Sequence, residues 1–213
     1  MKKTLSILSI AAISLFACNN KKQATGKNDT ANDTAEKKTE LAVADPVKDS
    51  VEIRKTITDF YNWYNKNYEK LQVYKLYSSL KKKDLPPYKI NWDEVEKYQQ
   101  FIRTSVPQLG EEFISNQKKF FQQCDSAFKV DINDELPYGF DYDWYTNSQE
   151  DAQYLVDEIN KNKPWPISIT GENAFVEVRG DFDDNGKKQA TSFLTLYMKK
   201  EDGQWKIAKV GLD

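Results

Sequence analysis

Hydrophobic and polar positions follow two different periods along this chain. From Trp165 to Leu212 they alternate in short runs separated by turn residues. Ile167-Ser168-Ile169 is followed by Gly171-Glu172-Asn173, and Ala174 to Arg179 (AFVEVR) by Asp183-Asp184-Asn185-Gly186. Thr191 to Met198 (TSFLTLYM) is followed by Glu201-Asp202-Gly203, and Trp205 to Val210 (WKIAKV) closes the pattern. Runs rich in Val, Ile, Phe, Thr and Tyr, punctuated by Asn-Gly and Asp-Gly, predict an antiparallel β-meander. Ahead of it the period is helical. Asp49, with Glu52 in capping-box position, predicts a helix start. Ile53, Ile57, Phe60, Tyr61, Tyr64 and Tyr68 then form one apolar stripe, with Trp63 off it. Core packing is the stronger reading of that stripe, ligand stacking the weaker.

A second helix is predicted from Asn91, with Glu94 at capping-box distance and Val95, Tyr98, Phe101 and Ile102 on its stripe. A third opens after Pro107, with Leu109, Phe113, Ile114, Phe120, Phe121, Cys124 and Phe128 facing inward. Between the first two, Leu71 to Leu80 suggests a short helix ended by Lys81-Lys82-Lys83 and Pro86-Pro87. The lysine run reads as a solvated loop, or else as a contact for anionic headgroups. Helices followed by strands predict an α+β domain, N-terminal helices packed on a curved C-terminal antiparallel β-meander.

The first residues are an address. Lys2 and Lys3 precede an apolar run from Leu5 to Phe16, too short to span a bilayer, which needs about 20 apolar residues. Leu15-Phe16-Ala17-Cys18 resembles the lipobox of bacterial lipoproteins, whose cysteine is diacylated and becomes the first residue of the mature chain. The resemblance implies a signal peptide over 1–17 and lipidation at Cys18. Each buried CH2 contributes about 0.8 kcal/mol, so two or more acyl chains hold a protein stably in a membrane. Asn19, where an aspartate would imply inner-membrane retention, favours the outer membrane. The absence of an early acidic run favours the periplasmic face. Residues 19–44 are polar and lack aromatics, which predicts a flexible tether over 18–45 with a reach of roughly 30 Å. A helix over 31–43 is the competing reading. The domain proper is expected over 46–213.

Composition narrows the chemistry. Without Lys2 and Lys3, the 31 basic residues fall to 29 against 33 acidic ones, a mature net charge of about −4 that disfavours a nucleic-acid partner. With Cys18 lipidated, Cys124 has no cysteine partner and reads as a buried small hydrophobe. The chain has no histidine, which removes the commonest general base and the usual zinc sets. No P-loop or dinucleotide fingerprint is present, and no cofactor is expected.

Asp131 to Lys163 shows no clean period and concentrates acids and aromatics, among them Tyr138, Asp141, Tyr142, Asp143, Trp144 and Asp151. Long irregular segments in compact domains are often functional. Three readings compete: an aromatic lid over the core, a recognition surface for a peptide or glycan, and a hard-cation site on Asp141, Asp143 and Asp151. The last is the weakest, because Asp-x-Asp alone is far from six converging oxygens. Asp181 to Gly186 matches the first half of an EF-hand loop, but Ser192 stands where a bidentate glutamate is required, so it reads as a hairpin turn.

Phe60-Tyr61-Asn62-Trp63-Tyr64, Asp141-x-Asp143 with Gln149 and Asp151, and the strands from Ala174 to Gly203-Gln204-Trp205-Lys206-Ile207 together resemble the DUF3828 family of bacterial envelope lipoproteins, over roughly residues 50 to 211. The resemblance implies an NTF2-like or cystatin-like α+β fold and carries over no catalytic residue. It favours a lipid-anchored envelope protein that binds another envelope protein or peptidoglycan, through the segment from Tyr138 to Asp151. The runner-up is a small-molecule or enzyme pocket in the sheet's concavity, lined by Tyr61, Tyr64 and Trp205. An immunity-type inhibitor of a toxin is a third expectation.

Overall fold

In a computed structural model of the chain, the described residues are 45–81, 85–130, 132–133, 135–149, 152–161, 163–184 and 187–211, with side chains described outside 181–190. The expected signal peptide, Cys18 and most of the expected tether lie outside them, as does Asp151. No described helix is long and apolar enough to cross a membrane.

The domain is α+β: helices first, then a four-stranded antiparallel sheet. Helix α1 runs Pro46–Asn67, one turn earlier than its capping-box pattern predicts. Asp45 is the N-cap, its carboxylate accepting from the amides of Val47 at 3.1 Å and Lys48 at 3.2 Å, with Pro46 in the first turn where its missing N–H costs nothing. This frees Asp49 and Glu52 for other partners. Ile53, Ile57, Phe60, Tyr61 and Tyr64 are buried as the stripe predicts, whereas Tyr68 lies past the helix end and is exposed.

The expected helix over 71–80 is mostly absent. Only α2, Glu69–Gln72, is helical. The chain then extends into β1, Tyr77–Ser79, which pairs antiparallel with β2, Tyr88–Ile90, in the register Tyr77↔Ile90. Tyr77 and Tyr88 pack on Phe128, a long-range contact that local periodicity does not encode. Helix α3 runs Trp92–Ser105 and buries Val95, Tyr98, Gln99 and Ile102. Asn91 stands at its N-cap position but turns its side chain to the hairpin, accepting from Ser78 and donating to the Lys75 carbonyl. Helix α4 runs Glu111–Val130, with Phe113, Ile114, Gln117, Phe121, Cys124 and Phe128 buried. Glu201, at the end of the strand Lys187–Glu201, closes its start, accepting from the Glu111 amide at 2.8 Å and the Glu112 amide at 3.2 Å. Cys124 is fully buried, and burial pushes its thiol up to about 12, so it is a packing residue at neutral pH.

A helix not foreseen, α5 at Ala152–Asn160, lies within the segment that shows no clean period. It buries Leu155, Val156 and Ile159 and packs on α1 and on the sheet that follows. Strands β3 (Ile167–Thr170), β4 (Asn173–Asp184), β5 (Lys187–Glu201) and β6 (Gln204–Val210) form a meander in sequence order. Val176, Val178, Leu194, Leu196, Met198, Trp205 and Ile207 face the helices. Register shifts between Val178 and Arg179 and between Tyr197 and Met198 mark bulges, which bend and twist the strands that carry them.

Asp49 and Glu52 tie α1 to this sheet. Asp49 accepts from the Trp205 indole N–H at 2.9 Å and from Lys200 Nζ at 2.7 Å, and Glu52 accepts from the Trp205 amide at 3.1 Å. The hydrogen bonds from Lys200 and Trp205 hold the Asp49 carboxyl below the usual carboxylate range. Residues that look like a local cap are thus a contact across more than 150 residues of chain.

Candidate functional site

The segment between α4 and α5 is organised by Asp143. A short hairpin closes on it: the Asp143 amide donates to the Ser148 carbonyl at 2.9 Å, and the Ser148 and Thr146 amides donate back to the Asp143 carbonyl at 3.3 Å each. Asn147 takes φ +52°, a left-handed conformation that asparagine tolerates better than most residues. The Asp143 carboxylate is spent inward. Its Oδ1 accepts from the Tyr145 amide at 2.8 Å and its Oδ2 from the Tyr64 hydroxyl at 2.6 Å. This explains how a segment without periodicity acquires one conformation: its anchor is a carboxylate that reaches α1.

Next to that anchor lies a buried polar network. The Tyr98 and Tyr145 hydroxyls are hydrogen-bonded to each other, Gln117 Nε2 donates to Tyr98 at 2.8 Å, and the Trp144 indole N–H donates to it at 3.4 Å. The Tyr61 hydroxyl donates to the Tyr145 carbonyl at 2.7 Å. Burial raises the Tyr61, Tyr64 and Tyr145 phenols, with the Asp143 charge adding to the first two, and pushes Tyr98 up to about 12. These phenols are therefore protonated at neutral pH and serve as fixed hydrogen-bonding groups rather than bases.

The wall built on this network, Tyr142-Asp143-Trp144, separates two clefts. On one side, a cleft of about 600 Å³ is floored by Tyr98 and Tyr145 and bordered by Tyr74, Tyr77 and Tyr88. On the other, an open groove of about 420 Å³ runs between the wall, α4 and β6. Both fall within the range of about 300–1,000 Å³ typical of small-molecule sites. Comparison of the chain with known protein families, with characterised proteins and with solved structures found no match.

The residues expected from the sequence divide among three situations. Tyr138 is 55 % exposed and lies along the 420 Å³ groove. Tyr142 and Trp144 line both clefts but are only partly open. Trp144 also packs edge-on against Phe121 and Phe140, so its ring joins the aromatic core while bordering both clefts. Asp141 is exposed, its carbonyl accepting from Gln149, whereas Asp143 is engaged as described. No group of three or more potential metal-ligating side chains occurs among the described residues. The alternative pocket needs correcting. Tyr61, Tyr64 and Trp205 are core residues, 0 %, 3 % and 1 % exposed, and do not share a pocket; Trp205 borders a separate small hollow with Glu52, Thr56 and Pro107.

The groove also holds residues that sequence reading missed. Asn116, Gln117 and Lys119 come from α4, Asn147 from the hairpin and Lys209 from β6. Asn116 donates to the Ala208 carbonyl at 3.1 Å, joining helix to strand at mid-groove. Beyond it the groove meets a second hollow over the outer sheet face, floored by Phe175 and Tyr197. Gln117 alone carried a signal: it is a polar residue in register with Phe113, Ile114, Phe121 and Cys124 on the buried face of α4. Its Oε1 is buried without a hydrogen-bond partner, a situation that costs about 1–3 kcal/mol and is rare in native proteins.

Proposed function

We propose that this is a lipid-anchored protein of the bacterial cell envelope, held at Cys18 in the outer membrane and facing the periplasm, that binds an envelope protein or peptidoglycan rather than catalysing a reaction. The observation that carries the binding part is the convergence of Tyr138, Tyr142 and Trp144 on one groove. Aromatic side chains in a partly formed hollow supply large contact area at small entropic cost. Two features argue against catalysis: the chain has no histidine, and the tyrosines beside the clefts are held protonated. The lipobox and the polar run after Cys18 support the anchoring part. The resemblance to DUF3828 lipoproteins and an NTF2-like fold agree with the order of elements, but the reading does not depend on them.

Two experiments separate the two parts. Cys18→Ser is expected to move the protein from the membrane to the soluble fraction on fractionation. Continued sedimentation with membranes would overturn the lipid assignment. For binding, the full chain in detergent serves as bait against solubilised envelopes and against purified peptidoglycan. Tyr138→Ala and Lys119→Ala are the informative variants, because both side chains are exposed on the groove and make no core contact that their loss would damage. A partner retained by the wild type and lost by both variants is the expected result. Retention by both would place the site elsewhere.

A further inference from the structure

We infer that the groove between α4, β6 and the 138–147 segment takes an acidic saccharide, a pyranose bearing a carboxylate, with its ring against Trp144 and Tyr142 and its carboxylate toward Lys119 and Lys209. This rests on the binding reading above and gives that site a ligand class. Three independent observations converge on it.

The first is the Gln117 amide. The side chain is 6 % exposed, contributes to the groove, donates through Nε2 to Tyr98 and leaves Oε1 buried and unpartnered. Rotating the amide by half a turn would let Oε1 accept from Tyr98 but would leave Nε2 as the orphan instead. In either orientation one buried polar atom lacks a partner. Oε1 is sealed in this conformation, and a turn of the side chain toward the groove would present the amide to a ligand hydroxyl, which donates and accepts and so suits either orientation. Sugars present several hydroxyls around the ring.

The second is the wall. Tyr138, Tyr142 and Trp144 offer flat apolar faces with polar tips, suited to the alternating C–H and O–H surface of a pyranose. Asn116 from α4, whose Nδ2 already donates to the Ala208 carbonyl, and Asn147 from the hairpin add side-chain amide groups to the lining.

The third is charge. No aspartate or glutamate is among the described residues lining this groove, although acids equal or outnumber bases in the chain as a whole. Lys119 and Lys209 line it; Lys119 also borders a neighbouring hollow with Glu111, Glu112 and Glu201, with no ion pair to them among the described residues. Ammonium groups beside a groove with no carboxylate among its described lining favour an anionic ligand; Lys209 Nζ also lies over the Tyr197 ring at 5.6 Å, at the edge of the groove. A polypeptide ligand fits less well. The adjacent edge of β6 is already paired at Ile207, whose amide donates to the Gln108 carbonyl while its carbonyl accepts from Gly110, so strand addition is blocked there.

Calorimetric titration of the full chain in detergent tests this with two probes. One is the disaccharide of N-acetylglucosamine and N-acetylmuramic acid. The other is di-N-acetylchitobiose, which lacks the lactyl carboxylate. The acidic probe is expected to bind about tenfold more tightly, a difference of about 1.4 kcal/mol. A Lys119→Ala/Lys209→Ala double variant should reduce that preference to within about twofold, and Tyr138→Ala should weaken both probes alike by roughly fivefold. Equal affinity for the two probes, or a preference that survives in the double variant, overturns the charge assignment. Failure of a folded wild-type protein to bind either probe overturns the saccharide assignment altogether. If an envelope protein is captured in that case and Tyr138→Ala releases it, the binding reading stands without the saccharide. If nothing is captured either, both readings fall.

Discussion

Asp49→Ala is expected to lower stability by about 3 kcal/mol, because breaking a buried pair strands the partners it leaves behind. The substitution orphans the Trp205 indole N–H, buried at the centre of the core, and leaves Lys200 without its counter-charge. For a domain of this size that corresponds to a fall of roughly 6–12 °C in thermal midpoint. Asp49→Asn keeps an acceptor for the indole and should lose clearly less. A midpoint within 2 °C of wild type for Asp49→Ala would show that Glu52 alone holds α1 to the sheet.

The pH dependence has a defined sign. The Asp49 carboxyl is held below its ordinary value in the folded state, first by the hydrogen bond from Lys200 and then by that from Trp205. Its stabilisation is therefore fully present above the unfolded carboxyl value near 3.9 and is lost as pH falls through the lower folded value. The gap between wild type and Asp49→Ala should be constant from pH 5 to pH 7 and shrink below pH 4. A gap that widened in acid would contradict the depressed value.

Asp143→Ala is the second large effect, about 2–3 kcal/mol, and it is conformational as well as energetic. It releases the buried Tyr64 hydroxyl and the Tyr145 amide, leaving two donors without partners. The hairpin from Asp143 to Ser148 loses its side-chain anchor, and Trp144 loses the fixed backbone that holds it between the clefts. Limited proteolysis should cut first within 138–148, and tryptophan emission should shift to the red. Unchanged emission together with an unchanged cleavage pattern would mean that the aromatic contacts of Trp144 suffice to hold the wall. The result also bears on assigning function: a partner lost by Asp143→Ala would report a collapsed wall, not a missing contact.

These two residues show where sequence reading stops. Asp49 with Glu52 three positions on has the spacing of a local cap, and Asp143 beside Asp141 has the spacing of a surface acid pair. Both are long-range partners, of Trp205 and of Tyr64, because a carboxylate binds whichever buried donor the fold brings to it, and sequence distance does not enter that energy. Helix α5 escaped for a different reason. Leu155, Val156 and Ile159 do carry a helical period, but only over nine residues, and the acids and aromatics ahead of it obscure the boundary. The β1–β2 hairpin has three-residue strands, too short for any alternation to register.

What the chain determined by itself is what depends on neighbours a few residues apart. The stripes of α1, α3 and α4, the four strands of the meander and their Gly203 and Gly171 turns, and the burial of Cys124 all follow from local period and turn chemistry. The α+β class follows from their order. Tertiary structure alone decided that the Trp205 indole meets Asp49 and the Tyr64 hydroxyl meets Asp143, and that Tyr142 and Trp144 form a wall with a cleft on either side. It alone set Gln117, Lys119 and Lys209 beside Tyr138. A groove is the space left between elements that pack, so its lining is fixed by the angles and offsets of packing, which no single segment of sequence contains.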